Sequence, residues 1–511
     1  MATPARVDRD EIFLEITKSV CPVCKTVIDG EVNIRNDKVY LRKRCHEHGR
    51  FEALVYGDAQ MYMDSLRYNK PGTIPLETQT EAAQGCPLDC GLCPEHKQHA
   101  CVGLVEVNSN CNLDCPVCFA DSGHQPDGFS LDAEQVEAMI DTFVRAEGEP
   151  EVLMFSGGEP SIHPEIIEFI AMARRKGVRH VVLNTNGIRL ARDSIFASRL
   201  AEQHTGIYLQ FDGLRRETHE ALRGLDLRET KDRALAACEA AGLTASLVAA
   251  VDRDTNLDEL GDILRYGFAH PAVRSVVFQP ITNAGRHVAF DPLTRLTNSD
   301  VVHAIVKQMP ETFRASDFFP VPCCFPTCRS VTYLLIDGDE VVPVPRVLNV
   351  DEHLDYITNR TLPDPAIKEA LEHLWSASAV PGTTVTAEQL ECATCAIDLP
   401  AAAKELAEKA FMIVIQDFQD PYTLNVKQLM KCCVEQLTPD GRMIPFCAYN
   451  SVGYREEIRQ KLTGVDVPPI VPNAIPLQPI LATGDHGSKI AEGSAGAAGR
   501  AADRGDVEER R

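Results

Sequence analysis

The chain of 511 residues carries 51 Lys and Arg against 74 Asp and Glu, a formal net charge of −23, and such a polyanion does not bind nucleic acid or an anionic membrane through bulk electrostatics. Its length calls for about two to four domains with ample core. With no charged-then-apolar leader and no uninterrupted apolar run of about 18 residues, the chain reads as cytoplasmic and not membrane-spanning, with only peripheral membrane contact left open.

Nineteen cysteines need an explanation. Nearly all fall in short-spaced groups, and in a reducing compartment grouped thiols favour metal over disulfide. Cys238 stands alone on a helical pattern and reads as a small core residue.

In chain order, the first group is Cys21-Pro-Val-Cys24, then about twenty residues that suit a hairpin, then Cys45-His46-Glu47-His48-Gly49. Two such knuckles predict a tetrahedral four-ligand site of zinc-ribbon or rubredoxin type over residues 1–65. Cys21, Cys24 and Cys45 supply three ligands; the fourth is His48, His46 or a cysteine from elsewhere, and the metal is zinc or mononuclear iron. A structural staple for a domain without its own core and an electron relay are both consistent with it.

The segment 66–101 contains Gly85-Cys86-Pro-Leu-Asp-Cys90-Gly-Leu-Cys93-Pro-Glu-His96, followed by Cys101. The C-x3-C-x2-C spacing of Cys86, Cys90 and Cys93 grips three corners of an iron-sulfur cube, and Cys101 offers a fourth ligand that closes it. A closed cube relays or tunes electrons, so an auxiliary cluster is expected here, with zinc as the alternative.

The same spacing returns at Cys111, Cys115 and Cys118, followed by Phe119. Three thiolates leave one iron open. An open, soft, redox-active iron can hold a chelating ligand, such as the amino and carboxylate groups of S-adenosylmethionine, and pass it an electron. A zinc knuckle or a redox CxxC is the alternative reading of the spacing by itself.

From 101 to 282 short apolar, β-branched runs (103–107, 151–155, 180–183, 206–211, 244–251 and 273–280) alternate with helix-patterned segments. One of these spans 131–146 with Ser130 as N-cap, and another spans 163–176. Six βα units predict an α/β fold, a partial (β/α)6 TIM-like barrel over 102–320, with chemistry at the carboxyl ends of the strands.

Those ends carry Ser156-Gly157-Gly158-Glu159-Pro160, Asn184-Thr185-Asn186-Gly187, and Gln210 with Asp212. Glycines let backbone approach a ligand closely, and Glu159 can accept a bond from an ammonium group; a plain tight turn is the alternative. Asn186 suits ribose or carboxylate contacts. Gln210 and Asp212 alternate with apolar neighbours and face the lumen together. An unpaired carboxylate there is costly, so a ribose hydroxyl pair or another polar partner is expected beside Asp212.

The region 321–463 holds Cys323, Cys324, Cys328, Cys392, Cys395, Cys432, Cys433 and Cys447, enough for a second auxiliary cluster. The favoured set is Cys323 and Cys328 with Cys432 or Cys433 and Cys447; Cys392 and Cys395 are alternates, and structural zinc is the other outcome. Adjacent cysteines on an extended segment point apart, which counts against both members of a pair ligating. Residues 464–511 turn proline-rich, then small and polar, a strap and disordered tail that cannot fold alone.

In this order and on these elements, the Cys111/Cys115/Cys118 loop, the Gly157–Pro160 turn, the Asn184–Gly187 turn and the Gln210/Asp212 strand end resemble the radical S-adenosylmethionine superfamily over about 101–282. The resemblance implies that the three cysteines hold a [4Fe-4S] cluster and that Gly157, Gly158 and Glu159 form the methionine-binding turn. It further implies that Phe119, Asn186, Gln210 and Asp212 contact S-adenosylmethionine. Reductive cleavage would give a 5′-deoxyadenosyl radical that takes hydrogen from an unactivated carbon, with an electron donor such as flavodoxin or ferredoxin.

Together with the N-terminal ribbon, the Cys86–His96 segment and the run from Pro322 to Cys328, the chain is similar to the class D-like radical methyltransferases, a group whose members act on pterins or couple lipid chains as tetraether lipid synthases. That likeness implies carbon-carbon bond formation on a long-chain lipid, as a step of lipid biosynthesis, which is the expectation taken here. Methylation of a pterin-like small molecule is the alternative. A multi-cluster electron-transfer protein without chemistry at the open iron is the reading from a different class. No sequence motif separates a pterin pocket from an alkyl-chain channel.

Overall fold

The computed structural model describes residues 10–123, 128–287, 290–321, 324–338, 340–346 and 410–465. Cys323, Cys392, Cys395 and the tail beyond Val465 lie outside these residues.

The N-terminal ribbon is a four-stranded antiparallel meander of β1 (Ile12–Val20), β2 (Val27–Arg35), β3 (Lys38–Cys45) and β4 (Gly49–Tyr56). Asn36 and Asp37 turn β2 into β3 with φ of 50° and 56°. Short polar side chains tolerate the left-handed region there, and its twist matches the hairpin. Along β3 the pleat sends Val39, Leu41, Lys43 and Cys45 inward. Lys43 is buried because its ammonium donates to Ser19 Oγ at 2.9 Å and to the Pro421 carbonyl at 2.6 Å, so the ribbon is tied to the chain near its other end.

The six expected strands form β5 (Val102–Glu106), β6 (Val152–Ser156), β7 (His180–Thr185), β8 (Gly206–Gln210), β9 (Ala245–Val251) and β10 (Val273–Pro280), parallel and in sequence order. Their runs are apolar on both faces, as parallel strands covered on both sides must be. On β6, Leu153 and Phe155 join the core under the helices, while Val152 and Met154 join a second core in the lumen with Leu104, Val182, Val248 and Val277. The first long helix, Ala133–Glu147, starts later than expected: Asp132, not Ser130, is its N-cap, in a capping box with Gln135.

The sheet is wider than six strands. β11 (Phe319–Pro320), β12 (Arg329–Asp337), β13 (Glu340–Pro343), β14 (Ala410–Gln416), β15 (Val434–Leu437) and β16 (Met443–Pro445) complete a sheet of 12 strands. β14 adds to the β10 edge in parallel, Ser275 opposite Met412 through Phe278 opposite Ile415. β15 adds to the opposite edge, Val434 opposite Val102 through Leu437 opposite Val105. The C-terminal region therefore widens the barrel at both edges. No helix among the described residues is long and apolar enough to cross a membrane.

Candidate active site

The loop after β5 carries Cys111, Cys115 and Cys118 to one wall of a cavity of about 290 Å³, bordered also by Phe119, Gly157, Gly158, Glu159, Asn186 and Gln210. Arginines from three distant segments fasten the backbone of this loop. Arg223 donates to the Val117 carbonyl at 2.9 Å, Arg286 to that of Cys115 at 3.2 Å, Arg455 to that of Phe119 at 2.7 Å and Arg459 to that of Ala120 at 2.7 Å. Leu113 N–H and Ser122 N–H point at the sulfurs of Cys111 and Cys118, each at 3.4 Å.

This donor set fits an iron-sulfur cube. Burial, with Glu159 and the two neighbouring thiols, pushes the Cys111 thiol up to about 12, so three thiolates coexist here only around a cation, as cluster ligands do.

The Gly157–Glu159 turn is zipped onto the same loop. Gly158 N–H donates to Asn108 O at 2.8 Å and Glu159 N–H to Asn110 O at 2.9 Å. A Cβ at Gly157, whose φ is +130°, would lie 2.3 Å from Asn108 O, and one at Gly158 2.1 Å from Asn110 O. The glycines thus admit the cysteine loop's own backbone.

Two expectations change. The Glu159 carboxylate, expected to take an ammonium group, accepts from Ser161 N–H at 3.1 Å, the Thr185 hydroxyl at 2.7 Å and Asn186 N–H at 2.7 Å. It shapes the turn that holds Asn186, whose side-chain amide donates to Asn112 Oδ1 at 2.7 Å. Asp212, expected to touch S-adenosylmethionine, is fully buried and absent from the cavity wall. Its two oxygens take Arg223 at 2.6 and 2.7 Å, because a carboxylate inside a dry sheet needs a full counter-charge. Gln210, which does border the cavity, donates to Asp212 and accepts from Lys231 Nζ at 3.3 Å.

The cavity also has members that the sequence did not reveal: Arg223, Arg286, Gln279, Arg329, Gln416, Phe418, Gln436, Phe446 and Arg455. Phe119 stacks on Phe446 with centroids 5.3 Å apart and leans on Phe418 at 5.4 Å. One signal was available: Gln279 and Gln416, like Gln210, sit at the carboxyl ends of apolar parallel strands.

The outlying thiols form two sets. Cys86, Cys90 and Cys93 border a small cavity with His96. Cys101, expected to close that set, does not border this cavity: it precedes β5, where Val102 N–H bonds the Cys433 carbonyl at 3.0 Å, and it is fully buried in a cluster with Val102, Tyr68 and Cys433. The second set, around another small cavity, is Cys324, Cys328, Cys432, Cys433 and Cys447. Cys324, set behind Cys323 in the sequence reading, is on its wall. Cys432 and Cys433 both border it, since the chain turns there, Cys432 N–H bonding Leu429 O at 3.0 Å, and strand alternation does not apply. His96 Nε2 bonds the Cys432 carbonyl at 2.9 Å, linking the two sets.

In the ribbon, Cys21, Cys24, Cys45 and His48 place their ligand atoms within 4.8 Å of one another, which selects His48 over His46 and suits a tetrahedral ion. Burial opposes ionisation of Cys24, yet the Thr26 hydroxyl and backbone bring its thiol down to about 6. Stripping the metal with a chelator removes about 10 kcal/mol of local binding energy. Hydrogen exchange is expected to accelerate across β1 to β4 while β5 to β10 stay protected; unchanged exchange in the ribbon would show that the metal does not hold it.

Residues 105–267 match the family model of the radical SAM superfamily, and residues 13–57 match that of the HMPTM N-terminal zinc ribbon domain. The chain is 30% identical, over 88% of its length and 95% of the relative's, to a 7,8-dihydro-6-hydroxymethylpterin dimethyltransferase of Methanocaldococcus jannaschii. Shorter matches join it to an Fe-coproporphyrin III synthase of Methanosarcina barkeri, 35% identical over 24% of this chain and 30% of that one. A GTP 3′,8-cyclase of Stenotrophomonas maltophilia is 32% identical over 36% of this chain and 56% of that one.

With the cysteine loop, the glycine turn and the parallel barrel in place, the class is defined: this is an enzyme of the radical S-adenosylmethionine superfamily, whose cofactors are a [4Fe-4S] cluster and S-adenosylmethionine. Within that superfamily the chain belongs to the methyltransferase-like group that includes the pterin dimethyltransferase, and its ribbon is a metal-binding domain.

Proposed function

We propose that the chain is a radical methyltransferase acting on a pterin-like heterocycle, the alternative rather than the favoured reading of its sequence. The observation that carries this is the match to a pterin dimethyltransferase along 95% of that protein; nothing comparable supports the long-chain lipid expectation. Cys111, Cys115 and Cys118 would hold the cluster, and the Gly157–Glu159 turn, Asn186, Gln210 and Phe119 would border S-adenosylmethionine. Bound there, the two cofactors supply abstraction of a hydrogen atom from an unactivated carbon. The chain's own part is to fix the loop through four arginines, to keep the Asn186 turn in place through Glu159, and to present substrate from the remaining strand ends. Cys86, Cys90 and Cys93, and the set of Cys324, Cys328, Cys432 or Cys433, and Cys447, are assigned to auxiliary clusters. A flavodoxin or ferredoxin in the cytoplasm would supply electrons.

The test is isotopic. Anaerobically reconstituted protein with dithionite, S-adenosylmethionine, a folate-like one-carbon donor to supply the methyl group and a deuterated 6-hydroxymethyl-7,8-dihydropterin is expected to yield deuterated 5′-deoxyadenosine and a methylated pterin. Deuterium arriving from a labelled alkyl chain, with none from the pterin, would overturn the proposal in favour of lipid coupling.

A further inference from the structure

The set of Cys86, Cys90 and Cys93 is one ligand short of closing a cluster. Among the described residues no fourth thiol borders its cavity, but His96 does. Of the two carboxylates on the same wall, Asp89 is taken up by the N–H groups of Gln84 and Gly85, both at 2.6 Å, and Glu95 is exposed to solvent. His96 N–H bonds the Cys93 carbonyl at 2.9 Å, closing a turn with Pro94 at its second position, so the chain brings His96 back beside Cys93. Cys93-Pro94-Glu95-His96 repeats the spacing of Cys45-His46-Glu47-His48. In the ribbon that spacing sets His48 Nδ1 3.5 Å from the Cys45 sulfur.

The far side of the His96 ring is already engaged. Nε2 lies 2.9 Å from the Cys432 carbonyl, and because a carbonyl only accepts, Nε2 carries the proton and Nδ1 is left with the lone pair. Nε2 also stands 3.5 Å from Glu435 Oε1. Glu435 is fully buried on β15, and neither of its oxygens has a hydrogen-bond partner, a costly state for a carboxylate. A histidine that ligates a metal through one nitrogen donates its other N–H to a carbonyl or a carboxylate, which fixes the ring and its tautomer. A thiol set without its last ligand and a buried carboxylate without a donor thus meet at one imidazole.

We infer that His96 is the fourth ligand of an iron-sulfur cluster held by Cys86, Cys90 and Cys93, bound through Nδ1 and oriented by the Cys432 carbonyl and Glu435. The inference rests on the assignment of those cysteines to an auxiliary cluster and adds the residue that completes it. A neutral imidazole in place of a thiolate leaves the cluster less negative, and less negative clusters have higher reduction potentials. This cluster therefore takes an electron more readily than an all-thiolate one in the set of Cys324, Cys328, Cys432 or Cys433, and Cys447. That second set adjoins the active site, since Gln416, on the wall of the main cavity, lies 3.3 Å from the Cys328 sulfur. His96, ligand to one set and hydrogen-bonded to the backbone of the other, joins them, and an electron leaving the active site runs toward Cys86 and Cys93, which are only half-buried.

Pulsed electron paramagnetic resonance of the reconstituted, dithionite-reduced holoenzyme tests it, with no S-adenosylmethionine added and with the protein made once with ordinary and once with 15N-labelled histidine. One reduced cluster is expected to show a nitrogen coupling that changes with the label; the ribbon holds a single ion, so His48 adds nothing to a cluster signal. This arm needs no variant to fold. His96→Cys is expected to keep the iron content, abolish the coupling and lower the midpoint potential of one cluster, because a thiolate replaces a neutral ligand. Glu435→Gln is expected to keep the coupling and raise the same midpoint, and an unmoved midpoint there removes Glu435 from its orienting role. Spectra blind to the label, in protein whose iron and sulfide content shows the cluster in place, overturn the inference, as does a coupling that survives His96→Cys. Metal analysis of Cys90→Ser separates the two levels: loss of iron and sulfide upholds the cluster assignment, whereas loss of zinc alone overturns that assignment itself and leaves the Cys111 loop and the pterin reading standing.

Discussion

Gly158→Ala is expected to lower 5′-deoxyadenosine formation by about a hundredfold or more, the scale on which displacements of about 1 Å act on a reacting geometry. The added methyl would sit 2.1 Å from Asn110 O, 2.5 Å from Asn110 C and 2.8 Å from Ser109 O. All three are backbone atoms, so no side chain can rotate aside. The segment that must move is the one leading directly into Cys111, and the turn and the loop would separate along the bonds from Gly158 to Asn108 and Glu159 to Asn110. Iron content and cofactor binding are expected to fall together. Gly177→Ala is the control: its φ of +90° also disfavours a side chain, but nothing lies within 4 Å of the new carbon, so it carries only the backbone cost of about 1 kcal/mol and leaves activity in place. Equal losses in the two variants would mean that the turn matters for general stability and not for its fit against the cysteine loop.

The contrast between what the sequence disclosed and what it hid follows from the range of the interactions. Cys111, Cys115 and Cys118, the glycine turn and the six strands are local patterns, readable because spacing and periodicity alone define them. Even so, Gly158 was read as making room for a ligand, when the atom it makes room for is a carbonyl 48 positions earlier in sequence. Arg223 gave no signal because it ends the helix Arg216–Arg223, whose charged pattern reads as a solvated surface. β14 and β15 lie beyond the six βα units that the periodic pattern marks; only pairing with β10 and β5 reveals that they carry Gln416 and Gln436 into the barrel. Cys101 is close to Cys93 in sequence, but the backbone pairing of its neighbour Val102 with Cys433, far along the chain, is invisible there.

Asp212 separates the two kinds of reading by experiment. If it touched S-adenosylmethionine, Asp212→Asn would weaken cofactor binding and leave the cofactor-free protein as stable as before. The structure predicts the reverse order of effects. Asp212 is fully buried, its bidentate partner Arg223 is 11% exposed, and Ala250 N–H adds a bond at 3.0 Å. Neutralising one member of such a pair strands the other charge in a dry interior, which costs roughly 3–5 kcal/mol and corresponds to a fall of several degrees in the melting temperature of the cofactor-free protein. Arg223 also grips the Val117 carbonyl, so a loosened guanidinium reaches the cysteine loop, and cluster loading is expected to drop after stability does. The pH dependence has a definite sign. Burial alone would raise the Asp212 carboxyl, but Arg223, Lys231 and Gln210 hold it below the ordinary carboxylate range. A depressed folded value makes its contribution fully present above the unfolded pKa of about 3.9 and lost as pH falls through the folded value. The intact protein is therefore expected to lose melting temperature steeply below about pH 4, and Asp212→Asn, already without that contribution, to show a shallower acid limb. An unshifted melting temperature in the cofactor-free variant, with weaker binding of S-adenosylmethionine, would return Asp212 to the ribose.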